Sequence, residues 1–189
     1  MAEREPVPRL YLDTNILLDV IHNRWQPSID LIDKVRANRW PCSTSRFAVL
    51  EMLDAEQEES FVEKRRSNGL ALSQILRRLP ARRSKKLGLS MKALDAVYVR
   101  LHDSLVQFED VVVFERPHAK LWDDAEQFCA ATNIGAIDSI HLATAIGVQC
   151  NILVTRDHDF RRIANEYILS AFPEDVDTAL AELKGAVHT

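Results

Sequence analysis

Five carboxylates stand where an apolar run gives way to a turn or a helix. Asp13 closes the run at residues 10–12, and Asp157 and Asp159 follow the run at residues 152–155 almost at once. Asp138 opens a helix rich in small residues, just after the Ile134-Gly135 turn. Glu51 lies one or two turns into the helix that follows the second strand. In open parallel α/β sheets, ligands bind beyond the carboxyl ends of the strands, and each of these positions can aim a carboxylate at that rim. Each also has a plainer reading. Asp13 and Asp138 suit helix N-caps, Asp157 and Asp159 suit turns, and Glu51 heads an acidic face with Asp54, Glu56, Glu58, Glu59 and Glu63. It is the joint pattern that carries weight. Carboxylates converging on one rim repel each other, and divalent cations account most simply for such a cluster. Oxygen-only ligands suit Mg²⁺ or Mn²⁺ rather than Zn²⁺.

The elements that must position these acids alternate. Residues 9–13 read as a short buried strand, 15–22 as a short helix, and Pro27 and Ser28 as the opening of another helix carrying Ile29, Leu31, Ile32 and Val35. A second strand is expected at 40–44, followed by a helix that Ser45 caps and that turns Phe47, Leu50 and Leu53 inward. Residues 111–114 read as a fully buried strand, 119–131 as a helix with Leu121, Ala125 and Phe128 inward, and 138–148 as the small-residue helix. Further on come a buried strand at 152–155, a helical turn at 160–165, an edge strand at 167–170 and a last helix at 174–183. Strands alternating with helices predict an α/β fold with a parallel sheet covered on both faces.

The stretch at about 68–107 breaks this rhythm. Leu72, Ile75, Leu76 and Leu79 follow helical spacing up to Pro80, which is expected to end that helix. Met91, Leu94, Tyr98, Leu101 and Leu105 share a face of a second helix with Ser90 as its N-cap. Together they predict an inserted helical hairpin within a single domain spanning 1–189. No Asp or Glu occurs between Lys64 and Asp95, while ten Lys and Arg fall there, among them Arg77, Arg78, Arg82, Arg83, Lys85 and Lys86. A basic projection of this kind binds phosphates. No aromatic side chain interleaves it, so backbone and shape recognition of a folded RNA suits it better than base stacking. The plainer reading is a solvated loop whose helices pack on the body or on a second subunit.

Composition narrows the classes. The chain has 189 residues, 47% hydrophobic and 28% charged, with a formal net charge of −4. That is globular composition, and its mild acidity argues against coating nucleic acid by bulk charge. No apolar run approaches the ~18 residues of a membrane span. The start of the chain has no apolar core of a secretory signal. Cys42, Cys129 and Cys150 match neither a disulfide framework nor a zinc site. They read as reduced thiols of a cytoplasmic protein. With 5 Gly there is no Gly-rich phosphate loop after the first strand. Asn15 occupies the place where an Asp-nucleophile phosphatase of the haloacid dehalogenase type carries its second Asp.

At this point the sequence resembles a known family. Leu10-Tyr11-Leu12-Asp13-Thr14-Asn15-Ile16-Leu17 is similar to the opening motif of PIN-domain ribonucleases. Ser45 followed by Glu51 is similar to their second motif, Ala136-Ile137-Asp138-Ser139-Ile140-His141-Leu142-Ala143-Thr144-Ala145 to their third, and Leu153-Val154-Thr155-Arg156-Asp157-His158-Asp159-Phe160 to their fourth. The resemblance covers about residues 9–183. Its main departure is the 68–107 hairpin, which lengthens the spacing from Glu51 to Asp138.

It implies a PIN-like three-layer sandwich and metal-dependent cleavage of RNA, with tRNA or rRNA as structured targets. Carried over, Asp13, Glu51, Asp138 and Asp157 hold Mg²⁺ or Mn²⁺, and Asp159 assists through water or caps the next turn. Thr14, Asn15 and Thr155 orient the first carboxylate or the attacking water. The resemblance also implies a toxin role, an antitoxin protein as partner, and a homodimer. The alternative is a catalytically silent RNA- or protein-binding module on the same fold. His141 shares a helix face with Asp138. It fits either a core histidine or a group facing the phosphate or metal.

Overall fold

The computed structural model describes residues 7–83 and 89–187. Five short parallel strands form one sheet: β1 (Leu10–Leu12), β2 (Cys42–Ser45), β3 (Val113–Glu115), β4 (Ile152–Val154) and β5 (Leu169–Ala171), in the order β3-β2-β1-β4-β5. Register pairs Leu10 with both Cys42 and Ile152, and Leu12 with Val154. The chain therefore fills one side of β1 with β2 and β3, then crosses to fill the other with β4 and β5. The gap between β1 and β4 is the point where strand order reverses, and there a parallel sheet opens a crevice at its carboxyl edge.

The two strands beside that gap are built to be covered on both faces. Leu10, Tyr11, Leu12, Ile152, Leu153 and Val154 are all fully buried. Tyr11 and Leu153 join a core with Leu142, Ala145, Phe160 and Ala164, which come from α7 (Ala136–Gly147) and α8 (His158–Ala164). Strand side chains alternate, so Leu10, Leu12, Ile152 and Val154 face the other layer. The remaining helices around the sheet are α1 (Thr14–Ile21), α2 (Gln26–Asn38), α6 (Leu121–Thr132) and α9 (Val176–Val187). Helices flanking an all-parallel sheet are the α/β sandwich that the sequence predicts.

Two compact units divide the chain. One holds the sheet and takes in residues up to Val49 and from Phe108 on. The other is Leu50–Gln107. It contains most of α3 (Phe47–Ser67), together with α4 (Leu72–Arg83) and α5 (Met91–Leu105). Among its described residues the buried apolar side chains are Met52, Phe61, Ile75, Val97 and Leu101. Ser90 caps α5 by accepting from the Ala93 amide at 3.3 Å. Among the described residues no helix is long and apolar enough to cross a membrane.

Four expectations are corrected. Helix α4 continues through Pro80 to Arg83. Proline removes one amide but keeps a helical φ, so a final turn survives it. Leu50 does not turn inward: it is 60% exposed, and Ala48 and Met52 are the buried positions of that stretch. β3 lies at the sheet edge rather than buried, with Val113 56% exposed. Helix α7 begins at Ala136 with Gly135 in the cap position, which places Asp138 inside the first turn and not at its N-cap.

Candidate metal centre

Asp13 ends β1 and caps α1. Its backbone is extended (φ −71°, ψ 155°) and its Oδ1 accepts the Thr14 amide at 2.7 Å. Its Oδ2 accepts from the Thr155 hydroxyl at 2.5 Å and from Asn15 Nδ2 at 2.7 Å. A carboxylate only 7% exposed thus meets three donors, an arrangement that matches its acceptor-only ionised form. The network runs on. Asn15 Nδ2 also donates to Thr155 Oγ1 at 3.1 Å, and Asn15 Oδ1 accepts the Arg156 amide at 3.2 Å. Thr155 Oγ1 accepts the Asp157 amide at 3.0 Å. The residue after β4 thereby fixes both the acid after β1 and the backbone of the acid two positions on.

Asp157 caps α8. Its Oδ1 accepts the amides of Asp159 and Phe160 at 2.8 and 2.9 Å, and the side chain is otherwise exposed. Asp159 lies in the first turn of α8, also exposed. Asp138 is half-buried in the first turn of α7. Its Oδ2 would sit 3.2 Å from a Cβ placed on Gly135, so the carboxylate leans back over the helix N-terminus, where the helix dipole favours negative charge. One turn further on, His141 is fully buried. Its Nδ1 lies 2.6 Å from Tyr11 Oη and its Nε2 3.4 Å from Thr14 Oγ1.

Two of the four main acids, Asp13 and Asp157, are thus joined through Thr155. Asp138 stands on α7 three residues before His141, whose Nε2 faces Thr14. Glu51 is half-buried near the start of α3 and belongs to the second compact unit. Ser45 is buried; its amide donates to Tyr11 Oη at 3.0 Å and its Oγ accepts the Phe47 amide at 3.2 Å. Of the basic residues, Arg77 is exposed on α4, which carries Arg78, Arg82 and Arg83 along its second half. Lys85 and Lys86 lie outside the described residues.

Sequence reasoning missed a second cluster beside the first. Asp19 is 3% exposed. Its Oδ1 takes Arg156 Nη1 at 2.6 Å and its Oδ2 the Ser28 hydroxyl at 2.8 Å. The Arg156 guanidinium lies 4.8 Å from the Trp25 ring centre. This clamp ties the last turn of α1 to the loop that carries Thr155 and Asp157. The available signal was an acid inside the apolar run Ile16-Leu17-Leu18-Asp19-Val20-Ile21, since a buried carboxylate needs a partner. Tyr11 was missed as well, although a phenol in the middle of a buried strand also needs one.

The donor set of Asp13, Asp138 and Asp157 offers carboxylate oxygens alone, which fits a hard divalent cation. The PIN domain family model matches residues 10–166, a span that takes in every acid named above. The chain belongs to the PIN domain family. PIN domains are generally nucleases and typically use divalent metal ions. The PIN fold here is similar to that in the crystal structure of VapBC2 from Rickettsia felis bound to a DNA fragment from their promoter. The TM-score is 0.54 at 17% identity, over 86% of this chain and 97% of the other. That likeness is one of fold. No curated protein is significantly similar in sequence.

Proposed function

We propose that this PIN protein is a metal-dependent endoribonuclease acting on structured RNA, as the toxin of a toxin–antitoxin pair. The observation that carries the reading is the framework around Asp13. A buried carboxylate held by Thr14, Asn15 and Thr155 stands at the strand-order reversal, with Asp157 linked to it through Thr155, and Asp138 lies in the first turn of α7, three residues before the histidine that faces Thr14. In this reading Asp13, Asp138 and Asp157 hold Mg²⁺ or Mn²⁺, with Asp159 alongside. Glu51 is the fourth carboxylate on the strength of its motif. Such an ion supplies an activated water for in-line attack and stabilises the leaving oxygen.

The chain's own residues do the positioning. Asn15 and Thr155 keep Asp13 in one orientation, and the cap on α8 fixes Asp157 while engaging Oδ1 alone. Arg77, Arg78, Arg82, Arg83, Lys85 and Lys86 are the proposed phosphate-binding residues, because phosphate contacts position a nucleic acid without reading its sequence. The similar fold in the VapBC2 complex supports an antitoxin protein as partner. Reduced thiols and a cytoplasmic RNA target complete the reading, with a homodimer as its expected assembly.

The test is cleavage of total tRNA and rRNA with Mg²⁺ or Mn²⁺, comparing wild type with D13N, D138N and an EDTA control. Metal-dependent cutting lost in both variants is the expected result. Wild type that binds RNA but leaves it whole under every metal condition would overturn it in favour of a silent binding module. Variants that cut like wild type would reduce the carboxylates to structural groups.

A further inference from the structure

His141 is sealed from solvent, so of the two roles open to it in the sequence, direct contact with a phosphate is closed. Its two ring nitrogens nevertheless face two different hydroxyls, and the direction of those hydrogen bonds can be worked out. Tyr11 is also fully buried, and its Oη accepts the Ser45 amide at 3.0 Å. A buried phenol must place its own proton on an acceptor, and with the Ser45 amide already pointing at Oη that acceptor has to lie elsewhere. Two candidates are close: His141 Nδ1 and the hydroxyl of Thr44. The Thr44 hydroxyl gives its own proton to the Leu12 carbonyl at 2.7 Å. The Tyr11–His141 separation of 2.6 Å is the decisive magnitude. To an oxygen acceptor, bonds given by O–H centre near 2.7–2.8 Å and those given by N–H near 2.9–3.0 Å, so an N–H given by His141 to the phenol would be unusually short. The phenol is the donor, so Nδ1 carries no proton. A neutral imidazole then holds its proton on Nε2, which faces Thr14 Oγ1.

We propose that His141, fixed as the neutral Nε2–H tautomer, is a positioning residue that holds Thr14, and through it Asp13, in register with the Asp138 helix. The chain of donors runs one way, from the Ser45 amide to Tyr11, from Tyr11 to His141, and from His141 to Thr14. It links the end of β2, the middle of β1, the first turn of α1 and α7. Because Thr14 Oγ1 accepts from His141, the threonine's own proton points elsewhere. The Thr14 amide meanwhile holds Asp13 Oδ1. Asp138 is one turn from His141 on α7, so the same ring sets where two of the proposed metal-holding carboxylates stand relative to each other. The consequence for cleavage rests on the nuclease reading above; the hydrogen-bond chain does not.

The experiment has two parts. Imidazole ¹⁵N shifts of the metal-free protein at neutral pH should show a bare Nδ1 and a protonated Nε2. The opposite tautomer, or a charged ring, overturns the proposal. Mn²⁺ affinity is then measured for wild type, H141N, T14V and the double variant, with thermal melts alongside. An asparagine Oδ1 can still accept from Tyr11 but gives nothing to Thr14. Loss of an outer hydrogen-bonding partner typically weakens a metal site about 10–100-fold. H141N and T14V should each show a loss in that range, and the double variant no more than either alone. Multiplying effects, or H141N binding Mn²⁺ like wild type, would overturn the positioning role. Should H141N fail to fold, the tautomer and T14V decide the matter, with T14V binding like wild type counting against it. The nuclease reading fails separately: wild type that cuts no RNA while the tautomer and affinities behave as expected removes that reading and leaves the positioning role standing.

Discussion

One oxygen of Asp157 caps α8 by accepting two amides, so its cap and its charge can be separated by substitution. Asparagine is as good an N-cap as aspartate. D157N should therefore keep stability to within a few tenths of a kcal/mol while losing divalent-cation binding, whereas D157A should lose both, with a stability cost of about 1 kcal/mol. Denaturant midpoints beside Mn²⁺ titrations check this; D157N binding Mn²⁺ like wild type would make Asp157 a cap and nothing more. At this scale the sequence exposed the acids and, through the family motifs, the immediate supports of Asp13, but not the wider network. Asp13, Asn15 and Thr155 could be singled out by motif. That Thr155 bridges the acid before it in space and the acid after it in sequence needed the β1–β4 pairing. Asp19 and Arg156 are 137 residues apart in sequence, and no local pattern joins them. His141 could be read two ways because a helix face says which residues are neighbours, not whether water reaches them.

Elements were legible by type and less so by what covers them. Every strand was placed to within about two residues; for β1, β3 and β4 the reason is that Leu, Ile and Val runs bounded by polar residues have few other uses, while β2, Cys-Ser-Thr-Ser, carries no such run. The apolar stripe of α4 correctly announces a helix. Yet only Ile75 of it is buried, while Leu72 and Leu76 are about half exposed; periodicity fixes a face, not its partner. The α7 boundary shifted because Gly135, not Asp138, takes the cap. The far end of α7 makes its own prediction. A Cβ on Gly147 would stand 2.4 Å from Nε2 of half-buried His118. Alanine normally gains about 1 kcal/mol over glycine in a helix. Overpacking costs typically about 1–3 kcal/mol, so the clash wins. G147A should destabilise the wild-type background and stabilise an H118A background, read as shifts of the urea midpoint. The same sign in both backgrounds would show that His118 moves aside without cost.

Across the whole molecule, the sequence separates a basic stretch at 64–92 from an acidic remainder, and the structure separates a helical unit from the sheet. The thiols give a further reading at this scale. Burial raises Cys42, and pushes Cys150 up to about 12. Both should stay unlabelled by thiol reagents in the native protein at pH 8, and react only as it unfolds. The sign for stability follows. A folded value above the unfolded one stabilises fully below the ordinary thiol range, near 8.5, and that stabilisation is lost as pH climbs through the folded value. Alkaline unfolding curves should therefore steepen above about pH 8.5, and C150A should flatten them; identical curves would assign the alkaline limb to other groups. The strand order carries one more consequence, which concerns synthesis. β1 is made about 140 residues before β4, one of its two neighbours. Until β4 docks, Asp13 lacks Thr155 and has no Asp157 beside it. A nascent chain therefore carries its first motif long before it can complete the hydrogen-bond network around Asp13. On the nuclease reading proposed above, that delay keeps the chain inactive until β4 has been made.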